Sequence, residues 1–122
     1  MNFWDLLDLR REPGRYARTH GLSPAGRNAL EHFNAVRMVG RPLADLRESN
    51  TYIPTFGLFD SDANPMDFRN NAVAESFLGR YGNVPGIMNM AAQSIKNRPR
   101  MRNPQFNWDL DMGQRGRKRW WI

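Results

Sequence analysis

The stretch SPAGRNALEHFNAVRMVG, residues 23–40, contains the clearest structural signal in the chain. Ser23 is a suitable N-cap, and Pro24 suits the first helical position, where its missing N–H needs no partner. Gly40 is a natural stop, because glycine easily adopts the backbone conformation that ends a helix. The apolar side chains that share one stripe at helical spacing are Ala29, Leu30, Phe33 and Val36. The stretch therefore predicts an amphipathic helix.

Further short helices are predicted on both sides of this stretch. Residues 2–11 place apolar side chains on one face, and Pro13-Gly14 is expected to end that helix. A short helical turn is expected over 42–47, and a longer helix within 61–82, where Asn64-Pro65 gives a cap followed by a first helical position. The last helix is expected from Pro85 to about Lys96, with Ile87, Met88, Ala91 and Ile95 facing inward.

Composition agrees with a helical chain that has a small core. Leu, Ile, Val and Phe together number 25 of 122 residues, near the lower limit for an independent globular core, and Val, Ile and Thr number only 11. The aromatic segment 51–59 is broken by Pro54 and Gly57, so it is extended and at most an edge strand. The predicted fold class is mainly α with much irregular structure, built from about three to four short helices and an extended basic C-terminal arm.

The net charge of +6 is unevenly distributed. Residues 1–95 contain ten arginines and ten acidic residues, whereas residues 96–122 contain eight cations and two acids. The chain is therefore predicted to consist of a helical body with zero net charge, residues 1–95, and an extended arm rich in Arg and Trp, residues 96–122. Of the 18 cations 16 are arginine, which favours contact with phosphate or carboxylate groups.

Basic and aromatic residues alternate along this arm. Arg98, Arg100 and Arg102 recur at a period of two, so an extended chain would align them about 6.6 Å apart. The remaining predicted arm contacts are Phe106, Trp108, Arg115, Arg117, Lys118, Arg119, Trp120 and Trp121. A possible second contact surface consists of Phe3, Trp4, Tyr52, Phe56 and Phe59. Asp109 and Asp111 interrupt the arm and would repel a continuous phosphate track, which favours docking on protein.

Catalytic and metal-binding patterns are weak in this sequence. Asp60, Asp62 and Asn64 begin like a calcium loop, but Pro65 stands where that loop needs glycine. His20 and His32 lack metal-ligand spacing, so each is expected to be a satisfied or solvated residue. Neither a nucleophile-elbow motif nor a glycine-rich phosphate loop occurs. The prediction is a non-enzymatic protein with no catalytic residues, no metal site and no cofactor.

Three functions remain, and the first is favoured. The chain is expected to be a structural component of a large assembly, most plausibly a small virion protein of the phage type, whose arm docks on neighbouring protein subunits. The alternative is a nucleic-acid-binding packaging or ribonucleoprotein component, because basic residues interleaved with aromatics suit phosphates and bases.

The third hypothesis is peripheral membrane binding through Trp120 and Trp121 beside the terminal cations. No apolar stretch approaches the roughly 20 residues of a membrane span, and no signal peptide is recognisable. The expected location is therefore a virion or the cytoplasm. The absence of cysteine excludes disulfides and thiolate metal sites.

Overall fold

The computed structural model describes residues 11–49 and 65–111, which are mainly helical and contain no strand. Helices α1, α2 and α3 span Arg11–His20, Pro24–Val39 and Arg41–Ser49, and helices α4 and α5 span Pro65–Tyr81 and Ile87–Asn97. A 3-10 turn, Arg98–Arg100, follows α5. The mainly α fold class is confirmed for this part of the chain. The predicted helix at 2–11 and the extended segment 51–59 lie outside the described residues.

Helix α2 is the central element, and it packs against each of the other four helices. Its caps are the predicted ones: the Ser23 hydroxyl accepts a hydrogen bond from the Gly26 N–H at 3.1 Å, and Pro24 is the first helical residue. Gly40 ends the helix with φ +83°, a conformation that favours glycine, and its N–H donates to the Val36 carbonyl at 2.8 Å. Local chemistry therefore sets both ends of the helix that the others surround.

Helix α1, which the sequence did not predict, runs through Pro13 and Gly14, so this dipeptide does not break the helix as expected. Pro13 is the third residue of α1, and a helix tolerates proline in its first turn. Gly14 is buried, and a β-carbon there would stand 3.2 Å from Nη2 of Arg27. The missing side chain lets the Arg27 guanidinium of α2 lie across α1, so the glycine serves helix packing.

Helices α2 and α4 meet through polar side chains as well as apolar ones. Asn28 Nδ2 donates to Asp67 Oδ1 at 3.4 Å, and His32 Nδ1 lies 2.9 Å from Asn71 Oδ1. Both pairs are separated by 39 residues. Because the residue numbers of both helices rise together from one pair to the next, α2 and α4 run in the same direction.

Helix α3 is joined to α4 by an exposed ion-pair network. The Arg41 guanidinium donates to Glu75 Oε1 at 3.1 Å and to Asp45 Oδ2 at 3.2 Å. The hydrogen bond to Glu75, with support from Asp45, raises the pKa of Arg41 above its ordinary value, although partial burial opposes the shift.

The apolar core lies between α2, α4 and α5. The side chains predicted to face inward from α5, namely Ile87, Met88, Ala91 and Ile95, are buried, which confirms that prediction. They meet Leu30 and Phe33 of α2 and Phe77 of α4. Within residues 11–49 and 65–111, no helix is long and apolar enough to cross a membrane.

Candidate interaction surface

The described part of the chain includes only some of the predicted contact residues. Arg98, Arg100, Arg102, Phe106 and Trp108 lie within it. The predicted contacts outside the described residues are Arg115, Arg117, Lys118, Arg119, Trp120, Trp121, Phe3, Trp4, Tyr52, Phe56 and Phe59. The division of the chain at residue 96 stays a prediction, but α5 continues past it to Asn97.

Trp108 is part of the core, which corrects the expectation that it contacts a partner. Its side chain is 0% exposed, and its ring meets Phe33 and Phe77 at centroid distances of 6.2 and 6.1 Å. The indole Nε1–H donates to the Ser94 hydroxyl of α5 at 3.0 Å. A tryptophan with a satisfied N–H and an enclosed ring is a packing anchor, so the start of the arm belongs to the body.

A buried asparagine holds the chain immediately after this anchor. Asn70 of α4 is 0% exposed, and its Nδ2 donates to the Asp109 carbonyl at 3.0 Å. The Asp109 N–H donates back to Asn70 Oδ1 at 2.7 Å, so one amide satisfies both backbone groups of Asp109. The Asp109 carboxylate also accepts a hydrogen bond from Arg69 at 2.7 Å. The acid that interrupts the arm therefore fastens it to α4.

The aligned row expected from Arg98, Arg100 and Arg102 is absent from this region. Arg98–Arg100 is a 3-10 turn with about three residues per turn, so residues two apart point in different directions. Arg98 Nε donates to Asn107 Oδ1 at 2.7 Å, whereas Arg100 and Arg102 are exposed. The prediction of an aligned row assumed an extended backbone, and Arg98–Arg100 form a 3-10 turn instead.

An open apolar groove lies beside the anchored segment, with a volume of about 560 Å³. Three rings form its aromatic wall: Phe77 lies 4.8 Å from Phe106 and 4.9 Å from Tyr81, measured between centroids. Two methionines, Met90 and Met101, also line it and are 38% and 48% exposed. This feature is called the aromatic groove below. Its rings and flexible thioethers suit an apolar or aromatic partner group.

The aromatic groove contains no carboxylate among the residues that line it. Its polar members include His20, whose Nε2 lies 3.1 Å from Asn89 Oδ1, and the amides of Gln93 and Gln105. Sequence reasoning identified Phe106 as a contact. It missed Tyr81, because only the fold brings that ring to the groove.

His32 is satisfied inside the fold, as expected, and is 5% exposed. Its Nε2 lies 2.9 Å from Asp67 Oδ1, and its Nδ1 faces the Asn71 oxygen. Asn71 Nδ2 donates to Asp45 Oδ1 at 3.0 Å, which fixes the direction of that amide. Both ring nitrogens therefore have an oxygen atom within hydrogen-bonding distance, which holds the imidazole between α2 and α4.

Acids and cations are unequally matched on the described surface. The pairs between described acidic and basic side chains include Glu12–Arg37, Glu31–Arg27, Asp45–Arg41, Glu75–Arg41, Asp67–His32 and Asp109–Arg69. Among the lysine and arginine side chains that the structure describes, those without an acidic partner are Arg11, Arg15, Arg18, Arg80, Lys96, Arg98, Arg100 and Arg102. The described acids of α1 to α4 are therefore engaged within the fold, whereas most of these unpaired cations are exposed.

Among the described residues, no group of three or more acids and histidines is placed to hold a metal ion. No protein-family model matches the chain, and the searches of curated proteins and of solved structures found no similar protein.

Proposed function

We propose that the protein is a non-enzymatic structural component of a large assembly, which docks on neighbouring protein subunits through its C-terminal arm. The proposed setting is a virus particle of the phage type, so the proposed location is a virion or, before assembly, the cytoplasm. The single observation that carries the docking role is the aromatic groove. An open face of rings and methionines beside the base of an arm that ends in Trp120-Trp121-Ile122 suits a protein–protein contact.

The proposed occupant of the groove is the Trp120-Trp121 pair of a second copy. Indoles are the most common anchors of protein interfaces, and they pack well on aromatic edges and thioether sulfurs. The groove lining has no carboxylate, so it favours the apolar end of the arm over the cations that precede it. Trp120 lies nine positions after Asp111, and an extended chain of that length reaches about 30 Å. That distance is enough to reach a neighbouring small domain.

An arm of one copy in the groove of the next is a head-to-tail contact. Such contacts generate rings or open filaments, because each copy offers one donor and one acceptor surface. This geometry would serve a component that is present in many copies.

The test uses two complementary variants of the full chain, with sedimentation velocity as the measurement. W120A/W121A removes the occupant, and M90E/M101E places charge in the groove at two exposed positions. Each variant alone should be monomeric where the wild-type chain associates, and an equimolar mixture should form heterodimers and nothing larger. R117Q/R119Q serves as the matched control in the arm, and we expect a smaller loss of association.

Three results would overturn this proposal. A wild-type chain that stays monomeric at high concentration would indicate no self-docking, including the case in which the arm folds onto its own groove. A mixture of the two variants that does not associate would show that arm and groove are not partners. A larger loss of association for R117Q/R119Q than for W120A/W121A would show that charge, rather than the indole rings, dominates docking of the arm.

Nucleic-acid binding through the arm is the second candidate, and the exposed Arg100 and Arg102 favour it. A deletion that tests this candidate must keep Trp108, because its side chain is part of the core. The cut belongs after Asp111, where it removes four cations. If all four contact phosphate, the slope of log K against log salt should become less steep by about 3 to 4 units. An unchanged slope would reject residues 112–122 as the binding element.

Peripheral membrane binding stays a prediction, because it depends on Trp120 and Trp121 beside the terminal cations. Flotation of the full chain with anionic vesicles would support it, and absence of association would remove it.

A further inference from the structure

The exposed face of α1 carries a row of three arginines. Arg11, Arg15 and Arg18 are spaced by four and three residues, which places them on one side of an α-helix. All three are exposed, whereas Pro13, Gly14 and Ala17 of the same helix are buried. At 1.5 Å per residue, the row extends over about 10.5 Å.

A fourth guanidinium extends the row onto α2. Nη2 of Arg27 and Nη1 of Arg18 lie 3.2 and 3.7 Å from the point where a β-carbon of Gly14 would stand. Both groups therefore stand above the same buried glycine. Arg15 is held differently, with its Cζ 5.2 Å from the centroid of the half-buried Tyr16 ring. Stacking leaves the N–H groups at the edge of the guanidinium able to donate outward.

Among the described residues, the acid of α1 and the acid that pairs with Arg27 are both engaged within the fold. Glu12, the acid of α1, pairs with Arg37 at 3.1 Å, and Glu31 pairs with Arg27 at 3.5 Å. Arg11, Arg15 and Arg18 have no acidic partner among the described residues. Like charges three and four residues apart disfavour a helix, so the row gives α1 no stability of its own.

We infer that the Arg11–Arg15–Arg18 row binds the phosphate backbone of nucleic acid. A row of cations suits a row of anions, and 10.5 Å is about three steps of 3.4 Å along the axis of a duplex. Arginine forks donate to phosphate oxygens in pairs. A second copy of this chain fits the row less well, since the described acids of the body are paired internally. The inference does not depend on docking of the arm.

Fluorescence anisotropy with a labelled 20-base-pair duplex tests this inference on the full chain. The variant R11Q/R15Q/R18Q should bind roughly tenfold or more weakly at 50 mM salt, and its salt slope should be less steep by about 2 to 3 units. The comparison variant R80Q/R100Q/R102Q removes the same charge from exposed arginines elsewhere, including the two candidate contacts of the arm, and a smaller loss in this variant would separate the α1 row both from the arm and from net charge. Both variants should keep the wild-type helical circular dichroism and a cooperative melt.

Other outcomes reject the inference. Equal losses in the two triple variants would mean that binding follows net charge, and the α1 row would be a solvated face. Competition by polyglutamate as effective as that by unlabelled DNA of equal charge would assign the row to an acidic protein instead. Binding that disappears on truncation after Asp111 and is unchanged in the α1 variant would place the nucleic-acid site in the arm alone.

Discussion

Two regions of the chain carry three arginines each. The backbone of one region aligns the three side chains, and the backbone of the other directs them apart. Residues 98–102 have arginines at every second position, and the 3-10 turn at Arg98–Arg100 turns them apart. Residues 11–18 have them at spacings of four and three, and α1 aligns them on one exposed face. The density of charge in a sequence therefore does not determine whether the charges form a row. That depends on whether the spacing of the arginines matches the number of residues per turn of the local backbone.

Among substitutions in and around these two regions, Trp108→Ala should destabilise the protein most, because the Trp108 ring anchors the chain that follows the 3-10 turn. Loss of a fully buried aromatic side chain should lower the free energy of unfolding by about 3–5 kcal/mol, measured by urea denaturation. Phe106→Ala, at a partly buried position, is the matched control and should cost clearly less. Equal costs would show that Trp108 is not the anchor.

Asn70→Ala should come next, since it leaves the N–H and the carbonyl of Asp109 without their partner. We expect a loss of about 2–3 kcal/mol in unfolding free energy and faster tryptic cleavage at Arg98–Arg102. Asn107→Ala removes an exposed amide that bonds only Arg98 and should change stability by less than about 0.5 kcal/mol. Unchanged proteolysis in Asn70→Ala would mean that the arm base is held elsewhere.

Gly14→Ala tests the packing under the α1 row. Alanine should raise the free energy of unfolding by about 0.5–1 kcal/mol, because glycine inside a helix is unfavourable and the half-exposed Arg27 guanidinium can shift. Gly21→Ala should instead destabilise the protein, because Gly21 has φ +65°. If Gly14→Ala proves the more harmful of the two, the position of Arg27 is rigid.

Arg11→Gln should have the smallest effect and the opposite sign from a lost contact. Removing one of two like charges four residues apart should raise stability by about 0.2–0.5 kcal/mol at low salt. Thermal melts should show this gain disappearing in 1 M NaCl, where charges are screened beyond about 3 Å. Arg102→Gln, from the unaligned region, should be neutral at both salt concentrations. A gain in stability at low salt in both variants would show that the aligned arginines of α1 repel one another no more than the unaligned arginines of 98–102.

Much of the local structure was predictable from residue chemistry. The caps of α2 at Ser23 and Gly40 follow from side-chain and backbone preferences, and the inward face of α5 follows from helical periodicity. The error at Pro13-Gly14 came from reading two helix-breaking residues without knowing the helix that packs on them. The Arg27 guanidinium lies over the buried Gly14, and this contact cannot be predicted from residues 11–20 alone.

The candidate sites were less predictable than the helices. Phe106 was named as a contact and lines the aromatic groove, but Trp108, two residues later, is enclosed in the core. The sequence around the two is equally basic and aromatic. Only Asn70, Ser94 and Phe77, which come from two other helices, decide which ring is buried.

By itself, the sequence determined the helical character of the described residues, the two ends of α2 and, within a few residues, the extents of α3, α4 and α5, together with the excess of cations in residues 96–122. Those properties depend on neighbours within a few positions, where capping, periodicity and charge act locally. Tertiary structure decided that Trp108 is core, that Glu12 pairs with Arg37, and that the side of α1 carrying Arg11, Arg15 and Arg18 is the exposed one. Burial and pairing depend on residues 14 to 40 positions apart, and only the packed chain brings them together.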